Sequence, residues 1–224
     1  MGFHSSPAAP ATTWAKFAEG KIVLSSKTPR EGYVSRVNKA GNTVYEQAHD
    51  AFTGYLSDIT ISESEYGKQF VFRFESELSY YNITAEYSSR YAKTMLIAMA
   101  APQYNPAEKV TLVPYSFKND KDKSVVGVTL RQGGEKIPAA YDRTTLPPLR
   151  EVKVKGNTIW DDTEVMDFLV DKLNSVIRPK MAGGSARVPS ITPDVAGGAT
   201  ADALMAVFDA KRVPNDDEVA ELPF

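Results

Sequence analysis

The sequence predicts a mainly β protein with helices: a five-stranded, barrel-like body, an extra C-terminal helix and a disordered tail. Three observations point there. Short runs of alternating apolar and polar residues dominate the body, two helical stripes interrupt them, and the composition changes abruptly at Met181.

Residues 1–13 read as a flexible arm. Ser5 to Thr13 holds only small residues and proline, too little apolar surface to offset the entropy of ordering. The folded body is expected over 14–180. Its first strands, Tyr33 to Val37 and Thr43 to Tyr45, flank the turn-like cluster 38–42. Gly54 to Ser62 alternates next, with Leu56 and Ile61 out of phase. Gln69 to Glu75 alternates cleanly and places Phe70, Phe72 and Phe74 on one face, inward by preference. The polar, glycine-bearing tip between these runs makes them a hairpin. Leu78 to Tyr87 is a further extended stretch.

Ser89 caps a helix that runs to about Ala101 and stops at Pro102. A second hairpin joins Val110 to Phe117 with Ser124 to Gln132 around a lysine-rich tip. A strand follows near Val152 to Val154. The last helix spans about Asp162 to Ile177, opened by a capping box of Asp161 and Glu164 and ended by Pro179. Three strands, a helix and two strands is the order of the oligonucleotide-binding barrel, whose helix falls between its third and fourth strands.

Composition narrows the class. With 224 residues, 24% charged and 42% hydrophobic, the chain is neither collagenous nor wholly disordered. Its longest apolar run, Met95 to Ala101, is far short of the ~20 residues of a membrane span. Without cysteine there are no disulfides, thiolate zinc sites or iron–sulfur clusters, and two histidines, His4 and His49, cannot build a His-rich metal site. No cofactor is expected. Residues 1–13 have neither the basic start nor the apolar core of a signal peptide, and the loose myristoylation fit at Gly2 lacks a second anchor. A cytoplasmic protein, in a bacterial or phage-infected cell, is the expectation.

Charge divides the chain. Residues 181–224 carry three Lys or Arg against seven Asp or Glu, net -4, whereas 1–180 carry 23 against 21, net +2. Residues 181–213 have linker composition, with a short amphipathic stretch at Ala201 to Val213, and 214–224 form an acidic tip. The tip ends in Leu222-Pro223-Phe224, a ring and a free carboxylate suited to an apolar pocket rimmed by cations. About twenty linker residues give it a reach on the order of 25 Å.

A folded body, a Gly/Pro-rich linker and an acidic tip closing in Pro-Phe together resemble the bacterial and bacteriophage single-stranded DNA-binding proteins. The resemblance rests on Asp216, Asp217, Glu218, Leu222, Pro223 and Phe224, and these residues together with Glu221 are the candidate partner contacts. A looser likeness joins Leu112 to Phe117 and Val126 to Leu130 to the closing hairpin of phage members with T7-like replication machinery. The resemblance to the single-stranded DNA-binding proteins implies sequence-independent binding of single-stranded DNA in replication, recombination and repair, with the tip recruiting partner enzymes. The acidic run is interrupted by Val219-Ala220, and the body is longer than the bacterial domain.

Such a binder needs cations that follow phosphates and rings on which any base stacks. The candidate DNA contacts are Arg36, Lys39, Tyr55, Arg73, Tyr81, Arg90, Tyr115, Phe117, Lys118, Lys121, Lys123 and Arg131. Of Tyr80 and Tyr81, which point to opposite faces when extended, one at most meets DNA. The -4 tail is expected to fold back on the +2 body and yield to DNA. Two other readings compete. A virion or scaffold protein would use the tip to dock on another subunit. A metal-dependent nuclease would use Asp142 with Glu151 and Lys153, but the chain reads as a non-enzyme.

Overall fold

The computed structural model describes residues 12–38, 41–64, 67–76, 79–154 and 157–184. In chain order the strands are β1 (Thr12–Ala18), β2 (Lys21–Ser26), β3 (Val34–Val37), β4 (Thr43–His49), β5 (Phe52–Ser64), β6 (Gly67–Ser76) and β7 (Ser79–Glu86). Helix α1 (Arg90–Ala100) precedes β8 (Val110–Lys118), β9 (Ser124–Gln132) and the two-residue β10 (Glu135–Lys136). The hairpin β11 (Arg150–Val154) and β12 (Asn157–Asp161) leads into α2 (Thr163–Lys172) and α3 (Arg178–Gly184).

Ten strands form one mixed sheet in the order β10-β9-β8-β5-β6-β7-β1-β2-β4-β3, and β11 and β12 form a separate two-stranded sheet. Every neighbouring pair in the large sheet is antiparallel except β1 with β7. The expected hairpins at 54–75 and 110–132 are present, the strands expected at 33–37 and 43–45 pair as β3 and β4, and β1 and β2 extend the sheet beyond them. β1 starts at Thr12, inside the segment expected as an arm, because Thr12 and Thr13 join the ladder to Tyr80 and Tyr81.

β5 holds the sheet's two halves together. Phe52 to Gly54 pair with β8, and Tyr55 to Ser64 pair with β6. A register shift between Leu56 and Asp58 marks a bulge, which bends the strand and raises its twist. That extra residue puts Leu56 and Ile61 in register with Phe74 and Phe70 on one face. Their odd phase in the sequence is the bulge.

The core lies on that face. Phe70, Phe72 and Phe74 are fully buried beside Ile59 and Ile83, under α1 (Met95, Leu96, Met99) and α2 (Val165, Met166, Leu169). Ser89 caps α1 by accepting from Ala92 N at 3.2 Å, as its position predicts. At the other end Lys180 Nζ donates to Ala101 O at 2.7 Å and Ala100 O at 3.1 Å, a cation at the negative end of the helix dipole.

The expected five-stranded barrel is not what forms: the sheet is larger and does not close. The edges that closure would pair are satisfied otherwise. β7 takes β1 as a parallel partner, and on β9 Val128 N donates to Thr94 Oγ1 of α1 at 3.0 Å. Leu130 O accepts from Ile137 N at 2.8 Å. These bonds occupy groups on β7 and β9 that closure of a barrel would pair.

The C-terminal helix also departs from expectation. Pro179 does not end it, because a π-helical turn at Leu173–Ile177 precedes α3. Arg178 N bonds back five residues to Leu173 O, and this widened turn carries the chain through a proline that lacks a donor. No capping box forms. Asp161 accepts from Thr163 N and Oγ1 at 3.0 and 2.6 Å, which lowers its pKa, while Glu164 pairs with Arg150.

The β1–β2 turn packs against β8. Glu19 and Gly20 both have positive φ, 52° and 73°, as a two-residue hairpin turn of this hand requires. Gly20 N donates to Tyr91 Oη at 2.9 Å, and a Cβ there would stand 2.6 Å from Ser116 N. Gly20→Ala is therefore expected to cost about 2 kcal/mol or more, from backbone strain and a clash with main chain that cannot turn aside. Urea unfolding checks it, with the same loss of stability absent in Gly41→Ala, where φ is equally positive but no atom lies within 4 Å, beyond about 1 kcal/mol of strain.

Candidate nucleic-acid interface

Burying Phe70, Phe72 and Phe74 beneath the helices turns Gln69, Val71, Arg73 and Glu75 to the opposite face of β6. The ladder carries this division across the sheet. Arg73 pairs with Asp58 on one side and Asn82 on the other, and Asn82 pairs with Trp14. The adjoining row runs Tyr55, Glu75, Tyr80, Thr12. Both rows cross β5, β6, β7 and β1, roughly 15 Å at about 4.8 Å per strand.

Three rings and three cations mark this face. The Trp14 side chain is 54% exposed, in mid-sheet, two residues from the exposed Lys16. The Arg73 guanidinium lies over the Tyr80 ring, 5.6 Å from its centroid, and Lys109 Nζ lies 5.7 Å from that of Tyr55. Such contacts hold the rings and place cationic groups over them. The short side chains of Val71 and Asn82 sink between these longer neighbours.

At the β4 side, Glu46 gathers the remaining charge. It accepts from Arg36 Nε, from Arg36 Nη2 at 2.7 Å, from Lys16 Nζ at 3.2 Å and from Ser25 Oγ at 3.3 Å. The Arg36 hydrogen bond, helped by Lys16, lowers the Glu46 pKa to about 2. Arg36 is thereby neutralised in place.

The other expected contacts are scattered. Tyr81 lies on the core side: its ring is 5.0 Å from that of Phe52, and its ladder partner is the buried Phe74. Tyr115 is buried opposite Gly127, where a Cβ would stand 2.2 Å from its Oη, and burial raises its pKa against the pull of Arg90. Phe117 is half-buried, 6.0 Å from Tyr115, and Arg90 opens α1 nearby. These form a second cluster, away from the Trp14 rows. Arg131 Nη1 is held by Gly134 O at 3.2 Å.

The lysine-rich loop is built rather than loose. Asn119 Oδ1 accepts from Lys121 N and Lys123 N at 3.1 and 3.0 Å, and Lys118 pairs with Asp122 at 2.7 Å. The Lys121 and Lys123 side chains are exposed at its tip. Lys39 and the tip residues Asp216, Asp217, Glu218, Glu221, Leu222, Pro223 and Phe224 lie outside the described residues.

Of the expected set, Tyr55, Arg73 and Arg36 share the open face. Sequence reasoning did not name Trp14, Lys16, Tyr80, Asn82 and Lys109 as contacts. The signal for Tyr80 was parity: Tyr81, Ile83 and Ala85 alternate as an apolar set, which turns Tyr80 out. Trp14 was hidden by placing it at the boundary of the arm.

Two carboxylates of the nuclease reading, Asp142 and Glu151, are hydrogen-bonded to nearby threonines. Asp142 Oδ1 accepts four hydrogen bonds from Thr144 and Thr145, which lower its pKa, and Glu151 accepts from Thr158 on the neighbouring strand. No cluster of three metal-ligating residues occurs among the described residues. No helix there is long and apolar enough to cross a membrane. Compared with family models, curated proteins and solved structures, the chain gives no match.

The Glu46 network predicts a pH dependence. A carboxylate with a depressed folded pKa stabilises the fold above its unfolded pKa, near 4.5, and loses that contribution as pH falls toward 2. Glu46→Gln is expected to lower stability at pH 7 by on the order of 1 kcal/mol, with the gap to wild type closing by about pH 2. Thermal melts of both proteins across that range would show it.

Proposed function

We propose that the chain binds single-stranded DNA without sequence preference across the open face of β5, β6, β7 and β1, in DNA replication, recombination and repair. One observation carries this reading: the exposed Trp14, with Tyr80 under Arg73 and Tyr55 beside Lys109, forms a platform of flat rings and cations. Stacking is worth about 1–3 kcal/mol per base and tolerates any base. The cations held over the Tyr80 and Tyr55 rings are placed for phosphates, and the open indole of Trp14 for a base.

The element order supports it. β5, β6 and β7, then α1, then β8 and β9, follow the order of the oligonucleotide-binding fold, with β5 paired to both β6 and β8. In that fold the ligand lies on the second and third strands and on the loops joining strands 1–2 and 4–5. β6 and β7 hold Arg73, Tyr80 and Asn82, and the 118–123 loop is the 4–5 position. The parallel β1 stands where the fold's fifth strand would close the barrel, and brings Trp14 onto the same face. Residues 214–224 recruit partner enzymes through their acidic, Pro-Phe ending.

A second reading, a structural interaction protein, has one observation in its favour. The edge strand β3 exposes Val34 and Val37, 74% and 66%, with its outer edge unpaired among the described residues.

Fluorescence separates the two. In a Trp160→Phe background, which leaves Trp14 as the sole tryptophan, oligo-dT should quench emission at low salt. Trp14→Ala should weaken binding roughly tenfold or more. Arg73→Ala should reduce the salt slope by about 0.7, one phosphate contact. No quenching and no binding at low salt would remove the DNA reading and favour the structural one.

A further inference from the structure

The amide of Asn82 has no account within the fold. Its side chain is 6% exposed, yet Oδ1 has no hydrogen-bond partner. An unsatisfied buried acceptor is costly, and few survive in a folded protein without a reason. Its ladder partner Arg73 could have donated to it, but the guanidinium lies over Tyr80 instead. Its other partner, Trp14, presents a largely exposed indole on the same face. Arg73 and Trp14 both stand at the surface, and a turn of either side chain opens the oxygen to a ligand.

We propose that Asn82 distinguishes unpaired from paired strands, by accepting a hydrogen bond from the pairing edge of a base stacked at Trp14. The inference rests on the single-strand reading above and names the group that enforces it. Adenine and cytosine offer an amino N–H on that edge, thymine and guanine a ring N–H. A neutral acceptor therefore serves every base. In a duplex the same N–H groups are occupied by the opposite strand, so the acceptor remains empty and the cost of its burial stays unrelieved. Stacking already favours bases whose faces are free, and the acceptor adds a check on the pairing edge.

The test compares oligo-dT with an oligomer of N3-methylthymidine, which stacks and carries the same phosphates but has no pairing-edge N–H. The wild-type full chain should bind dT about three- to tenfold more tightly, the worth of one net hydrogen bond. Asn82→Leu should bind both oligomers equally, at the weaker affinity, and should melt no lower than wild type, since it removes the unsatisfied atom. A structural amide would instead lower the melting temperature. Equal wild-type binding of the two oligomers overturns the inference and leaves the single-strand reading standing. Equal discrimination by wild type and Asn82→Leu overturns it too, by placing the methyl clash elsewhere. If wild type binds neither oligomer, the single-strand reading itself fails.

Discussion

The burial of three phenylalanines on one face of β6 constrains everything else. Phe70, Phe72 and Phe74 have no exposed surface, and α1 and α2 are packed over them. Because strand side chains alternate, this fixes the outward direction of Arg73 and, through the ladder, of Tyr80, Asn82 and Trp14. A slip of one residue would send the phenylalanines to solvent and Arg73 into the core. The open face is as rigidly specified as the core because it is the core's other side.

The same constraint explains the sheet's shape. β5 must keep its apolar residues on the phenylalanine face while passing from β8 to β6, and the bulge near Ser57 lets it change partner without losing that face. At the far side, β7 pairs with a parallel strand from the start of the chain rather than closing a barrel. That choice leaves the sheet open and widens the exposed surface by the width of β1. Glu46 then ties β1, β2, β3 and β4 together by ion pairs and a hydroxyl, which holds the extension in register.

Much of the β order was legible because alternation is a local signal. Gln69 to Glu75 named its own buried face, Ser89 its own cap, and the misphased Leu56 and Ile61 recorded a bulge before any partner strand was known. β1 was not legible. Thr12 and Thr13 look like a tail because their strand is completed by a parallel partner nearly seventy residues away, a non-local pairing that no window of sequence contains. Pro179 misled for a related reason: a widened helical turn, not the residue, decides whether the helix goes on. Ring placement failed wherever exposure depended on a partner, as with Tyr115, which Gly127 makes room to bury.

The central claim of the proposal is that bases stack on the open face of the sheet that carries Trp14 and Tyr80, and not on Phe117 or the hairpin bearing Trp160. Ultraviolet crosslinking of the full chain to a photoreactive oligo-dT, with the attached peptides identified by mass spectrometry, addresses it directly. The account predicts adducts concentrated on peptides containing Trp14 and Tyr80. Adducts confined to Phe117 or Trp160, with those two peptides unmarked, would contradict it.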